Sequence, residues 1–66
     1  MAGNTRGKLK EEFEGIHRNL DWTIVHCQKA LILIRDHKPN LADSVESLGE
    51  AVSTLDNLAR GIYSKL

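Results

Sequence analysis

Two apolar repeats separated by a single proline constrain the fold of this chain more than any other feature. In each repeat, aliphatic side chains recur in steps of three and four residues, the spacing that lines up one face of an α-helix. Pro39 divides the repeats, because proline lacks an amide hydrogen and disfavours a helical residue before it. The sequence therefore predicts an all-α fold, an antiparallel two-helix hairpin.

The predicted hairpin covers residues 8-66, with helix 1 at about 8-36, a turn at 37-40 and helix 2 at about 41-65. Residues 1-7 contain two glycines and lack the apolar repeat, so we expect a flexible lead-in there. Asn40 is a suitable N-cap for helix 2, because its side chain can accept a hydrogen bond from the first turn. The short connection makes the helices antiparallel neighbours.

The apolar repeats supply the residues that we expect to form the core of an assembly of several chains. These residues are Leu9, Phe13, Ile16, Leu20, Ile24, Cys27, Leu31, Ile34, Leu41, Val45, Leu48, Val52, Leu55, Ala59 and Ile62. A chain of 66 residues is near the lower limit for folding alone, and chains below about 70–80 residues usually need a disulfide, a metal or a partner subunit. With Cys27 as the single cysteine, an intramolecular disulfide is impossible.

A second apolar set lies outside the main repeat of helix 1, at Trp22, Val25, Ile32 and Leu33. Exposed together with the main repeat, it would form a larger patch than monomeric proteins usually leave in water. The surplus predicts homo-oligomerisation into a four-helix bundle or a larger helical assembly. Such a dimer resembles the Rop-type regulators of plasmid copy number in architecture, although the chain shares no motif with them.

Surplus apolar surface on a chain this small favours a non-enzymatic adaptor, regulator or inhibitor that binds another protein. Trp22, Val25 and Ile32 are the expected anchors, since buried aromatic residues dominate interface energetics. Nine basic and nine acidic residues give zero net charge, a poor match for duplex nucleic acid, whose binding needs several phosphates neutralised together. Glu14 and Asp21 interrupt the basic face that Rop-like RNA binding requires, so that function is less favoured.

The alternative function is an oligomeric protein that binds, and so sequesters, a nucleotide or another phosphate-bearing ligand. Cationic side chains neutralise phosphate, and aromatic rings stack on bases. The candidate ligand-binding residues are Lys10, His17, Arg18, Lys29, Arg60 and Tyr63. A run in helix 2 loosely resembles the last helix of small phage proteins that sequester nucleotides, and this resemblance implies the same alternative. The run comprises Leu48, Val52, Leu55, Leu58, Ala59 and Arg60.

Neither catalysis nor metal binding is expected from the sequence. His17, His26 and His37 are too far apart in sequence to share a helical face at the spacing of metal ligands, so we predict no metal and no cofactor. Cys27 has no base and orienting group in view. A signal-like apolar segment and a membrane-length apolar run are both lacking, which, with the unpaired Cys27, predicts a cytoplasmic protein. In size and helical character the chain is similar to bacterial and phage regulators and inhibitors, a class-level resemblance. The final Ser64-Lys65-Leu66 matches a peroxisomal signal and leaves that address open.

Overall fold

The computed structural model describes the backbone of residues 2–66 and the side chains of residues 5–66. Helix α1 spans Ala2–His37, a short 3-10 helix spans Pro39–Leu41, and helix α2 spans Ala42–Tyr63. The two α-helices pack against each other, and residues 2–66 contain no strand. The predicted all-α hairpin is therefore confirmed at the level of one chain.

Helix α1 is longer than the apolar repeat indicates. The sequence predicts a flexible lead-in at residues 1-7, whereas the structure continues α1 back to Ala2; Met1 lies outside the described residues. Extending an existing helix needs no new nucleus, so each added residue costs little. With this extension α1 has 36 residues and is much longer than α2, which has 22. The first turns of α1 therefore extend past the end of α2.

The turn between the helices starts at Pro39 and not at the expected cap. Lys38 has the extended φ of −143° that suits a residue before proline. The amide of Leu41 donates to the carbonyl of Lys38 over 2.9 Å, which closes the 3-10 helix around Asn40. Leu41 then occupies the N-cap position of α2. The prediction of Asn40 as the cap was wrong, because proline is itself favoured at the first helical position and begins the new turn.

The seam between α1 and α2 is built on small residues of α2. Gly49 lies against Cys27, where a Cβ on the glycine would sit 3.7 Å from the Cβ of the cysteine. The buried apolar residues are Cys27, Val52 and Ala59. Further seam residues are half-buried: Phe13, Leu20, Ile24, Leu31, Ile34 and Val45. On α2 the buried positions are held by small side chains, and the large aliphatic residues Leu48, Leu55 and Ile62 remain exposed.

Six residues assigned to the assembly core are exposed in a single chain. Leu9, Ile16, Leu41, Leu48, Leu55 and Ile62 retain between 40% and 56% of their accessible surface. On α2, Leu48 and Leu55 each come one position before a residue of the seam, Gly49 and Asp56 respectively. The side of α2 that contacts α1 is therefore the one that carries Gly49, Asp56 and Ala59, and not the one that carries the large aliphatic residues.

One hairpin is too thin to enclose a core. It measures 54 × 15 × 10 Å with a radius of gyration of 15.8 Å, whereas a compact domain of this length has a radius of gyration of about 11 Å. Two helices cover each other on one side only, so most apolar side chains keep substantial exposure. Within the described residues, neither helix has the combination of length and apolar content that crossing a bilayer requires.

Candidate functional site

A buried carboxylate organises the end of the hairpin opposite the turn. Asp56 lies in the seam and is only 6% exposed. His17 Nδ1 on α1 is 2.7 Å from Asp56 Oδ1. Arg60, one turn further along α2, approaches the second carboxylate oxygen with Nε at 3.3 Å. Both oxygens of Asp56 thus have a partner, as the burial of a charged group requires.

The partners of His17 indicate which ring nitrogen carries the proton of the neutral imidazole. A carboxylate is an acceptor only, so Nδ1–H donates to Asp56. This assignment leaves Nε2 as an acceptor, and the Nη2 of Arg60 lies 3.5 Å from it. His17, Asp56 and Arg60 therefore form a closed cluster that joins α1 to α2 and fixes the position of a guanidinium group at the surface.

A cavity of about 300 Å³ opens beside this cluster. It is lined by Phe13, Glu14, His17, Arg18, Ala59, Arg60 and Tyr63. The two helices each contribute one arginine and one aromatic ring to it. This volume is at the lower end of the range for small-molecule sites, which are mostly apolar with a few placed polar groups.

Five of the six residues predicted for a phosphate-bearing ligand gather at this end of the hairpin. His17, Arg18, Arg60 and Tyr63 line the cavity, and Lys10 lies over the ring of Tyr63 with Nζ 5.8 Å from the ring centre. Lys29 does not line the cavity. The sequence places Lys29 in one stripe with Arg18, but eleven residues of helix separate the two, about 16 Å at the helical rise.

The charges around the cavity favour an anion. Lys10, Arg18 and Arg60 contribute positive charge, and Glu14 and Asp56 contribute negative charge, so the balance of these five side chains is positive. Asp56 is occupied by its two partners and buried, which leaves Glu14 as the exposed carboxylate of the lining. The cavity can therefore receive a phosphate from the side of the arginines.

A second, more open groove of about 560 Å³ lies nearer the turn. Its lining includes Cys27 and Gly49 from the seam and Glu46 and Glu50 from α2. Two carboxylates on one wall disfavour an anionic ligand. Glu46 also accepts a hydrogen bond from Arg35 over 3.0 Å. This groove is a poorer candidate than the cavity at the open end.

The residues predicted to anchor a protein partner remain largely exposed. Trp22 and Ile32 each keep 64% of their accessible surface, and Val25 is half-buried. The indole of Trp22 lies beside the ring of His26, with the ring centres 6.3 Å apart. These residues form a surface on α1 that is separate from the cavity.

Asp56 and Phe13 are the site residues that sequence reasoning missed. Phe13 was assigned to the core, where its position in the repeat places it, although it also forms part of the cavity wall. Asp56 carries no signal in the apolar repeat, which treats a polar position as solvent-facing. The spacing of Asp56 and Arg60, one helical turn apart, is the one indication of a paired carboxylate.

The chain was compared with protein-family models, with curated proteins and with solved structures, and none of the three comparisons gave a match.

Proposed function

We propose that this protein is a non-enzymatic, self-associating helical binding protein whose small ligand carries phosphate and an aromatic ring. The sequence alone favours a protein partner over such a ligand. The arrangement at the open end reverses that preference, because four residues predicted for the ligand line one cavity. This convergence is the observation that carries the proposal.

Arg18 and Arg60 are the groups that would hold the phosphate. A guanidinium presents parallel donors that match a phosphate, and such charge-assisted hydrogen bonds are the stronger kind. Asp56 forms an ion pair with the Nε of Arg60 and His17 lies beside its Nη2, which leaves the Nη1 of this arginine to donate to a ligand. Because Arg18 and Arg60 lie on different helices, a phosphate between them would also strengthen the hairpin.

Tyr63 and Phe13 would hold the aromatic part of the ligand. Stacking of a base on an aromatic side chain contributes about 1–3 kcal/mol and tolerates any base. The two rings come from opposite helices and line the same cavity as the arginines. A nucleotide, with a planar base joined to phosphate, is the ligand class that uses both halves of the site.

Self-association belongs to the proposal because one chain leaves its main apolar repeat uncovered. Leu48 and Leu55 of the repeat, and Leu58 beside it, are each more than half exposed, on a hairpin too thin to bury them. Burial of apolar area contributes about 25 cal/mol per Å², so covering these side chains supplies the stability that a single hairpin lacks. We propose that two or more copies of the chain complete the helical bundle.

Thermal unfolding with a panel of mono- and dinucleotides tests the ligand. A nucleotide at about 100 times its Kd should stabilise the folded state by about 2.7 kcal/mol, seen as a rise of several degrees in Tm. Added salt should weaken the binding of the nucleotide.

R18Q and R60Q should each raise the Kd about tenfold or more. R35Q is the matched control, because Arg35 pairs with Glu46 near the turn, and it should leave the Kd unchanged.

The second candidate function, binding of another protein, rests on the exposure of Trp22 and Ile32. The same series separates the two functions. A panel in which no nucleotide stabilises the wild type contradicts the ligand proposal. A partner protein whose binding is lost in W22A and kept in R18Q then assigns the function to the apolar surface of α1.

A further inference from the structure

Four aliphatic residues, one at the N-cap of α2 and three within it, form a ladder along its exposed side. Leu41, Leu48, Leu55 and Ile62, called here the α2 ladder, are spaced seven residues apart. They are 41%, 56%, 53% and 48% exposed, respectively. A spacing of seven keeps side chains in one line along a helix, and this is the repeat by which helices pack along their length.

The ladder faces the side of the hairpin opposite the cavity. Each ladder residue from Leu48 onward comes one position before a residue that contacts α1, as Leu48 precedes Gly49 and Leu55 precedes Asp56. On α1, Ile16 precedes His17 in the same way. In two antiparallel helices, positions that precede the seam lie on one side and positions that follow it lie on the other.

The other side of the hairpin carries the charged groups and the cavity. Glu14, Arg18 and Arg60 each come one position after a seam residue, and all three line the cavity. Arg35 and Glu46, which join the helices near the turn, occupy equivalent positions. The ladder side carries uncharged residues at the positions of the seven-residue repeat. On α1 these are Ile16, Thr23 and Ala30, and beside them lie the ladder residues Leu41, Leu48, Leu55 and Ile62. Glu12 and His26 also precede seam residues, and Glu12 lies at the end of the hairpin away from the middle of the ladder. Depletion of charge at the centre is typical of a protein interface.

The ladder is complementary to itself under a two-fold axis. The axis lies in the plane between the two copies, perpendicular to the helices, and meets α2 at the level between Ala51 and Val52. It places Leu48 opposite Leu55 of the second copy and Leu41 opposite its Ile62. An isologous interface requires this reciprocity. The contact of Gly49 with Cys27 fixes the register of the helices, and the same axis then crosses α1 just before Val25.

The same axis also pairs apolar residues of α1. It places Ile16 opposite Leu33 of the second copy, and these residues are 40% and 60% exposed in one chain. The apolar residues of both helices therefore satisfy one symmetry operation. The axis places residues 12–37 of α1 opposite the second copy, a length of about 39 Å at the helical rise. With a width of 15 Å the shared face covers about 600 Å², the lower end of the range per partner for specific interfaces.

We infer that the partner of the ladder face is a second copy of this chain, packed face to face with α2 antiparallel to α2. The inference rests on the self-association in the proposed function and adds the face, the symmetry and the register. The cavity side stays open in this dimer, so two ligand sites lie on opposite outer faces, near opposite ends of the four-helix bundle.

Disulfide trapping tests the register. In A51C the two introduced thiols lie beside the two-fold axis, within the Cα separation of less than about 7 Å that a disulfide needs. Mild oxidation should convert most of A51C into a covalent dimer. N57C, an exposed position on the opposite side of α2, is the matched control and should remain uncrosslinked, as should the wild type with its buried Cys27.

Sedimentation of L55E tests the face independently. Leu55 is 53% exposed in one chain, so a charge there does not enter the seam between α1 and α2 and places a carboxylate opposite Leu48 of the second copy. The mass should fall by half, to the 7.4 kDa of one chain, and the α-helical circular dichroism should fall with it, because a single hairpin lacks the stability that the dimer supplies. An unchanged mass would contradict the inference.

The outcomes separate this inference from the function on which it rests. One outcome is a wild type that is oligomeric and binds a nucleotide while A51C does not crosslink and L55E keeps its mass. This result would place the interface elsewhere and overturn the inference alone. A monomeric wild type would overturn both the inference and the proposed self-association. Cross-linking of A51C together with a monomeric L55E supports both.

Discussion

At the scale of single residues, the carboxylate of Asp56 determines the geometry of the candidate site. It accepts a hydrogen bond from His17 on one oxygen and forms an ion pair with Arg60 on the other, and it is 6% exposed. A buried charge is stable only while its partners hold it. The arginine that faces the cavity is therefore positioned from inside the seam, and the site depends on the packing of the two helices.

Replacement of Asp56 should cost more stability than replacement of an exposed carboxylate. D56N removes the charge that His17 and Arg60 share, so we expect a loss of about 1–3 kcal/mol. E46Q is the matched control, since the pair of Glu46 with Arg35 is about half exposed on both sides and exposed pairs contribute at most about 1 kcal/mol. Urea unfolding at one protein concentration measures both variants; equal losses would contradict a structural role for Asp56.

Sequence reasoning at this scale found the arginines but not the group that positions them. Arg18, Arg60 and Tyr63 were identified because cations and rings are the groups that bind nucleotides. Asp56 was missed because the apolar repeat says nothing about a carboxylate that is buried through pairing. The partner of His17 is 39 residues away, and only the hairpin register brings the two together.

At the scale of the helices, the seam is set by side-chain size. Gly49 of α2 lies against Cys27 of α1, and Ala59 lines the cavity together with Phe13. Pro39 made the division into two helices predictable, since it fixes where α1 must end. The rotation of α2 about its axis was not predictable, because an apolar repeat gives most weight to its largest members, and this seam uses the smallest.

Replacement of Gly49 by alanine should stabilise the hairpin despite the position of Gly49 in the seam. Its Cβ would meet that of Cys27 at 3.7 Å, an ordinary contact, and alanine is favoured over glycine within a helix by about 1 kcal/mol. The Tm of G49A should rise by a few degrees. G61A is the control for helix propensity alone, because a Cβ at Gly61 meets open space within the described part of the chain. A fall in Tm for G49A beside a rise for G61A would mean that the seam is tighter than described.

At the scale of the whole molecule, the hairpin presents two different faces. One carries the arginines, the aromatic rings and the cavity; the other carries the α2 ladder. The apolar surplus was predictable from composition and length, because 66 residues in two helices cannot bury two long repeats. The face that packs against a second copy was not predictable from the sequence, since it depends on the rotation of α2 about its axis.

The mass of the wild-type protein in solution, measured by sedimentation equilibrium over a range of concentrations, tests the central claim most directly. Self-association predicts a mass of at least twice the 7.4 kDa of one chain at micromolar concentration. A mass of one chain at every concentration, with the helices formed, would contradict the account.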